Sequence, residues 1–308
     1  MLITLLFTCL ALLLTGATLL ATYENRYHEL LRLKKESERI PEAERKARAK
    51  GLAAKVYRRY ETLKYLSFKV ECIDYWQREA TWQSRMPLKW WTQDCLAVVT
   101  MAMTPKSLKT EISVKGKPLY TFFMNDGKCA EFKWPWNGVP GQRTEFPAGN
   151  HHTRLIRGVD GHLLCRTGIF RRPWIGVDAH RATRFKHRME AGSWIGSAKV
   201  RGVLCDVVMP PMSYDVMLRP NEDDPQWDRW DVYYINADGF IVLWDVILLA
   251  EKEDWNRLFW TGYYTDFRTD PIPPQALSPS DVLLQEAKAW RRFTADESLA
   301  ELNVELGD

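Results

Sequence analysis

The spacing of apolar residues divides the chain into a helical opening and a long strand-rich body. Leu52, Ala53, Val56, Tyr60 and Leu63 recur at intervals near three and four, which predicts a helix from Pro41 to Tyr65. Pro41 suits its first turn, and Glu42 and Glu44 sit favourably at its positive end. From Leu66 to Cys72 the period drops to two, as expected of a half-buried strand, and the β pattern continues through Asp94–Met103, Glu111–Val114 and Leu119–Met124. Asn125-Asp126-Gly127 is a strong turn signal that returns the chain along Lys128–Trp134. Proline, glycine, histidine and arginine interrupt the pattern from Trp134 to about Gly192, with a helical stretch at Val177–Ala191. Strand signals resume at Lys199–Val208 and Trp230–Ile235, turn at Asn236–Gly239, and continue through Phe240–Leu249 and Trp255–Phe267. Pro271, Pro273 and Pro274 then end any ladder, because proline has no amide hydrogen to donate. A final amphipathic helix is expected from Ser280 to Phe293, capped by Ser280, with Val282, Leu283, Ala287 and Trp290 on its apolar side.

The first 22 residues carry no charged side chain and are long enough to span a bilayer as one helix. They are expected to be either an uncleaved anchor or a secretory signal. Thr15-Gly16-Ala17 is a passable cleavage site, but no basic segment precedes the apolar run, and the run continues beyond that site. Residues 23–40 read as a charged helical stalk continuing from it. Arg26, Arg32, Lys34, Lys35 and Arg39 follow the span, and the positive-inside tendency would place that side in the cytoplasm. One main domain is expected over residues 41–280, with a basic insertion at about 135–192 and a C-terminal helix and tail over 281–308.

A helix, a run of strands, a helical interruption and a second run of strands is the order of a half-open antiparallel barrel around a helix. The residues that carry it are Arg58–Val70, Met124–Lys128, the Gly196–Val207 stretch with Gly202 and Cys205, Val232–Phe240 and Tyr264–Pro271. In that order they resemble the outer-membrane lipoprotein carrier and receptor (LolA/LolB-like) superfamily of bacterial envelopes. The resemblance implies an α+β fold: a half-open antiparallel β-barrel wrapped around an N-terminal helix, with a helical insertion and an N-terminal membrane helix. It also implies an extracytoplasmic, periplasmic location, against the flanking charges. Within that fold the strand ending at Phe267 would be the last of an unclosed barrel, its prolines keeping other chains off the exposed edge.

Composition adds less. The net charge of +4 and the intermixed signs demand no nucleic-acid partner, while 14 tryptophans allow a large core or an apolar cavity. Between Arg143 and Arg188 there are ten Lys or Arg against three acidic residues. Arg171, Arg172, Arg184, Lys186 and Arg188 are therefore candidates for contact with anionic lipid head groups. The five cysteines beyond the apolar segment (Cys72, Cys95, Cys129, Cys165, Cys205) are odd in number and form no C-x-x-C pair, and buried free thiols are the expectation. No G-x-S-x-G, H-E-x-x-H, Walker or G-x-G-x-x-G motif occurs, so no conventional enzyme and no cofactor are expected. His151, His152 and His162 read as a polar loop, and Asp223, Asp224 and Asp228 as a solvated turn rather than a calcium loop. Phe68, Val70, Phe122, Phe132, Trp134, Tyr234, Val242 and Trp244 fall on alternating positions within their strands. On a curved sheet they are the candidate lining for a lipid, a lipoprotein acyl chain or another apolar ligand. A scaffold or sensor domain that binds another envelope protein is the alternative.

Overall fold

Arg26, Leu30, Leu33 and Ser37 repeat at helical spacing, and residues 26–37 form the first helix, α1. A computed structural model of the chain describes residues 26–74, 96–104, 107–114, 116–125, 128–135, 140–147, 187–211, 213–214, 228–249 and 257–293. The expected anchor at 1–22, most of the insertion at 135–192 and the tail from 294 lie outside the described residues. Among those described, no helix is long and apolar enough to cross a membrane. Helix α2, Glu42–Thr62, matches the expected element closely, with Glu42 and Glu44 in its first turn.

The described strands number thirteen and form one sheet: β1 (Leu66–Asp74), β2 (Leu96–Met103), β3 (Ser107–Val114), β4 (Lys117–Asn125), β5 (Lys128–Lys133), β6 (Gln142–Pro147), β7 (Ser193–Val200), β8 (Val203–Met209), β9 (Ser213–Tyr214), β10 (Asp228–Asn236), β11 (Ile241–Leu249), β12 (Arg257–Arg268) and β13 (Arg291–Phe293). Their order is β13-β6-β5-β4-β3-β2-β1-β12-β11-β10-β8-β7, with β9 beside β10. Every pairing is antiparallel except the short β13–β6 ladder. The fold is thus α+β, but the sheet is open: among the described residues β7 and β13 each pair on one side only, and no ladder closes a barrel.

Three expectations change here. β12 is not an edge, because Val70 pairs with Tyr264 on one side of it and Leu243 with Tyr263 on the other. The prolines at 271, 273 and 274 therefore terminate an interior strand and lead into a 3-10 turn, Pro274–Leu277. The expected strand at Lys199–Val208 is a hairpin, β7–β8, turned at Arg201 (φ 48°) and Gly202 (φ 87°), both in the left-handed region. And α1 is not a projecting stalk, since Leu30 and Leu33 are buried against Ile195, Val207, Val232, Tyr234 and Leu243.

The two sheet faces are covered differently. Ala49, Ala53 and Val56 of α2 join one face, hereafter the α2 face, where Phe68, Val70, Ile112, Phe122, Tyr233, Trp244 and Tyr264 are all buried. The opposite face carries α1 at the β7–β11 end and the C-terminal helix α3 (Asp281–Glu286) at the β4–β6 end. Ser280 caps α3, accepting from the Leu283 amide at 3.2 Å. The expected helix to Phe293 stops early: α3 passes into a 3-10 turn and then into β13, which satisfies its backbone on β6.

Candidate functional site

Strand register decides which of the eight candidate lining residues meet. The pairing of Asn125 with Lys128 sets Phe122 opposite Glu131, so Phe132 points the other way. Phe68, Val70, Phe122 and Trp244 gather on the α2 face, where each is at most 5% exposed. Val242 is half-buried and packs against clusters on both faces. Phe132 and Trp134 instead pack under α3 with Phe123 and Trp290, the Trp134 and Trp290 rings lying 5.3 Å apart. Tyr234 faces α1, and its neighbour Tyr233, directly across from Trp244, takes the place expected of it.

The α2 face is apolar across nine consecutive strands of the sheet order, from Val208 on β8 to Cys129 on β5. An α-helix is about 10 Å across with its side chains, whereas strands repeat every ~4.8 Å. One helix can cover roughly two of them. α2 lies toward the β7 and β10–β11 end, where Arg48 stacks on Trp194 and Tyr60 meets Phe240 edge-on. The apolar surface on β3, β4 and β5 extends well past it.

Polar groups interrupt this face at two places. Asp231 is fully buried and accepts hydrogen bonds from the Trp244 indole at 3.0 Å and from Arg188 at 2.9 Å. Arg188, expected as a head-group contact, is thus committed to a buried carboxylate, which would otherwise be strongly disfavoured in apolar surroundings. Arg171, Arg172, Arg184 and Lys186 lie outside the described residues. At the other end Glu131 and Thr110 are buried on either side of Phe122. Burial pushes the Glu131 carboxyl above its ordinary value, against the pull of Lys133 and a hydrogen bond with Tyr120.

On the opposite face a charged cluster fastens α1 to the sheet. Arg26 donates to Asp245 at 2.8 Å and to the Tyr263 hydroxyl at 2.6 Å, and Thr261 donates to Asp245 at 2.7 Å. Burial would lower the Arg26 pKa, but the Asp245 charge, Tyr234, Tyr263 and the hydrogen bond to Asp245 together outweigh it and hold the guanidinium firmly protonated. Burial, reinforced by Asp245, raises the Tyr234 phenol, which stays neutral. Beside this cluster Arg201 stacks on Tyr263 and pairs with Glu71 at 2.6 Å, while Lys69 holds the second Glu71 oxygen at 3.0 Å. Burial raises Glu71, yet the hydrogen bonds from Arg201 and Lys69 prevail and hold it below the ordinary carboxylate value. This cluster fixes structure; of its members the sequence marks only Arg26, as a flanking charge, and Tyr234, as candidate lining.

Cys129 and Cys205 are buried free thiols, their pKa values pushed up by burial to about 12 and about 11. Cys95, Cys165 and the Cys72 side chain lie outside the described residues, as do His151, His152, His162, Asp223 and Asp224. Asp228 opens β10. Among the described residues no group of three His, Cys, Asp or Glu side chains gathers as a metal site would require.

No protein-family model matches the sequence. No curated protein matches it significantly. Solved structures that align with the chain include the Mycobacterium tuberculosis lipoprotein LppX, at 8% identity and a TM-score of 0.37, over 74% of this chain and 98% of that one. LprF from Mycobacterium bovis aligns at 8% identity and a TM-score of 0.35, covering 76% and 97% of the two chains. A putative outer membrane lipoprotein-sorting protein domain from Vibrio parahaemolyticus aligns at 9% identity and a TM-score of 0.27, covering 79% and 98%. Likenesses at these scores carry no inference about activity, which rests on the side chains described above.

Proposed function

We propose that this chain is a non-catalytic protein of the bacterial cell envelope that holds a lipid, a lipoprotein acyl chain or a similar apolar ligand against the α2 face of its sheet. One observation carries the reading: the apolar face is several strands wider than the helix that packs on it. A twisted open sheet of this many strands curls. Its inward apolar surface is then a long, smooth lining, suited to an alkyl chain because such a ligand asks only for area and exclusion of water. Phe68, Val70, Phe122, Val242 and Trp244 are the lining residues that this reading keeps from the original eight, and Tyr233 joins them. Residues 1–22 serve as anchor or export signal, which puts the domain outside the cytoplasm. Arg171, Arg172, Arg184 and Lys186 are the remaining candidates for head-group contact.

Extraction of the purified full chain with organic solvent, followed by mass spectrometry, tests the proposal. The expected result is an acyl lipid recovered in near-stoichiometric amount and retained through washing in detergent-free buffer. Repeated recovery of protein with no bound lipid, together with no uptake of added long-chain lipid, overturns it.

A further inference from the structure

The apolar α2 face contains two polar atoms that the fold leaves unsatisfied. Glu131 Oε2 and Thr110 Oγ1 are both buried from solvent and have no hydrogen-bond partner among the described residues. Glu131 is 3% exposed and Thr110 is 0% exposed. They belong to one row across three strands: Thr110 on β3 pairs with Phe122 on β4, and Phe122 pairs with Glu131 on β5. Side chains of directly paired residues share a face, so both flank the Phe122 ring, with backbones about 10 Å apart at two strand spacings. Tyr120, also on this face, hydrogen-bonds Glu131 and thereby orients the carboxyl, leaving Oε2 without a partner. Native interiors rarely leave such atoms unmatched, and two in one row of an otherwise apolar surface call for a partner that the described residues do not supply.

We propose that Glu131 and Thr110 form a polar seat within the apolar α2 face, which hydrogen-bonds the uncharged, oxygen-bearing head of an otherwise apolar ligand such as a monoacylglycerol. The proposal rests on the lipid-holding function above and specifies the ligand's head. Two separated hydrogen-bonding positions suit a head with more than one oxygen, the hydroxyls and ester of a glyceride, better than a single terminal group. Charge selects in the same direction. A carboxylate or phosphate brought beside Glu131 in apolar surroundings adds a second acid to the row, and the basic side chain that shares this face, Lys133 opposite Tyr120, already acts on Glu131 itself. Burial holds Glu131 toward its protonated form, in which Oε2 or its partner oxygen can donate as well as accept. The apolar chain of the ligand would run along Phe122 toward Ile112 and Phe68, which share the face.

The test is competition for the delipidated full chain between 1-monopalmitoylglycerol and palmitate, which have the same alkyl chain, read by native mass spectrometry at pH 7.5. The natural chain is expected to prefer the glyceride by about tenfold or more, the discrimination given by a hydrogen bond whose loss leaves buried atoms unpaired. Thr110→Val and Glu131→Leu each remove one position of the seat and are expected to bring the ratio toward unity, while total acyl occupancy is retained. Glu131→Gln keeps both hydrogen-bonding atoms and is expected to keep the preference. Should Glu131→Leu fail to fold, the near-isosteric Thr110→Val carries the comparison. An equal affinity for both ligands in the natural chain, or a preference unmoved by Thr110→Val, overturns the polar seat and leaves the lipid-holding function standing. Uptake of neither ligand overturns both.

Discussion

At the scale of single residues, the buried charges divide into one fully compensated set and one that is not. Asp245 receives Arg26 and Thr261, so the docking of α1 itself matches its charge. Arg26→Ala removes the cation and leaves a buried carboxylate behind, and breaking a buried pair from one side costs about 3–5 kcal/mol. We expect a loss of that size in urea denaturation, with Asp245→Asn in the Arg26→Ala background recovering part of it. Glu131 behaves oppositely, because burial raises its pKa above the ordinary 4.5 in the folded chain. Below the unfolded value both states bind the proton, and Glu131 imposes no ionisation penalty. As pH rises, the unfolded chain releases that proton first, so the folded chain loses stability until its own raised pKa is passed. Glu131→Gln cannot titrate. Its stability relative to the natural chain is therefore expected to be constant at low pH and to increase from about pH 4.5 upward, reaching a plateau. Thermal denaturation of both proteins from pH 4 to pH 8 would show this, and a difference independent of pH would contradict it.

At the scale of elements, much was legible wherever a turn had a strong signal. Asn125-Asp126-Gly127 and Asn236–Gly239 mark their hairpins, and counting outward from the two-residue turn alone sets Phe122 against Glu131. Alternation within each strand is plain in the sequence, but alternation does not say which face is which. Grouping Phe132 with Phe122 required ignoring that count. β7 and β8 read as one strand in the sequence because apolar residues continue on both sides of Arg201-Gly202, and a left-handed arginine gives little warning there. β6, with its Gln142-Arg143-Thr144 start, is polar because it lies near the sheet's end beside the short β13. Its position depends on α3: a β-carbon built on Gly141 would stand 2.6 Å from the Trp290 ring, too close for any real contact. Gly141→Ala must therefore move Trp290 off Trp134 and Phe132. Overpacking of this kind costs about 1–3 kcal/mol. We expect a destabilisation in that range, with faster amide exchange confined at first to residues 281–293. Uniform acceleration across the sheet would show that α3 is not a separate local unit.

At the scale of the whole molecule, the sheet's order could not be read along the chain, because β1 must find β12 across more than half of the sequence. Local signals specify strands and hairpins; they do not specify which long-range pairing is made. The prolines after β12 looked like an edge device for that reason, although the real ends of the described sheet are β7 and β13. β7 is protected in another way. Its register shifts between Trp194 and Gly196, Gly196 adopts φ 140°, and Lys199 is exposed along it. A bulge and an exposed lysine are both recognised means of discouraging a further strand. The same Gly196 admits Leu33, whose side chain would meet an added β-carbon at 2.9 Å, so edge protection and α1 docking converge on one residue. Two variants separate the alternatives. Replacing Pro271, Pro273 and Pro274 by threonine frees amides next to a strand already paired on both sides, and no new self-association is expected. Lys199→Val leaves the β7 ladder intact while removing its charge, and is expected to raise the associated fraction in sedimentation velocity at matched concentration. The reverse pattern, association from the proline variant and none from Lys199→Val, would place the vulnerable edge at β12 and contradict the strand order.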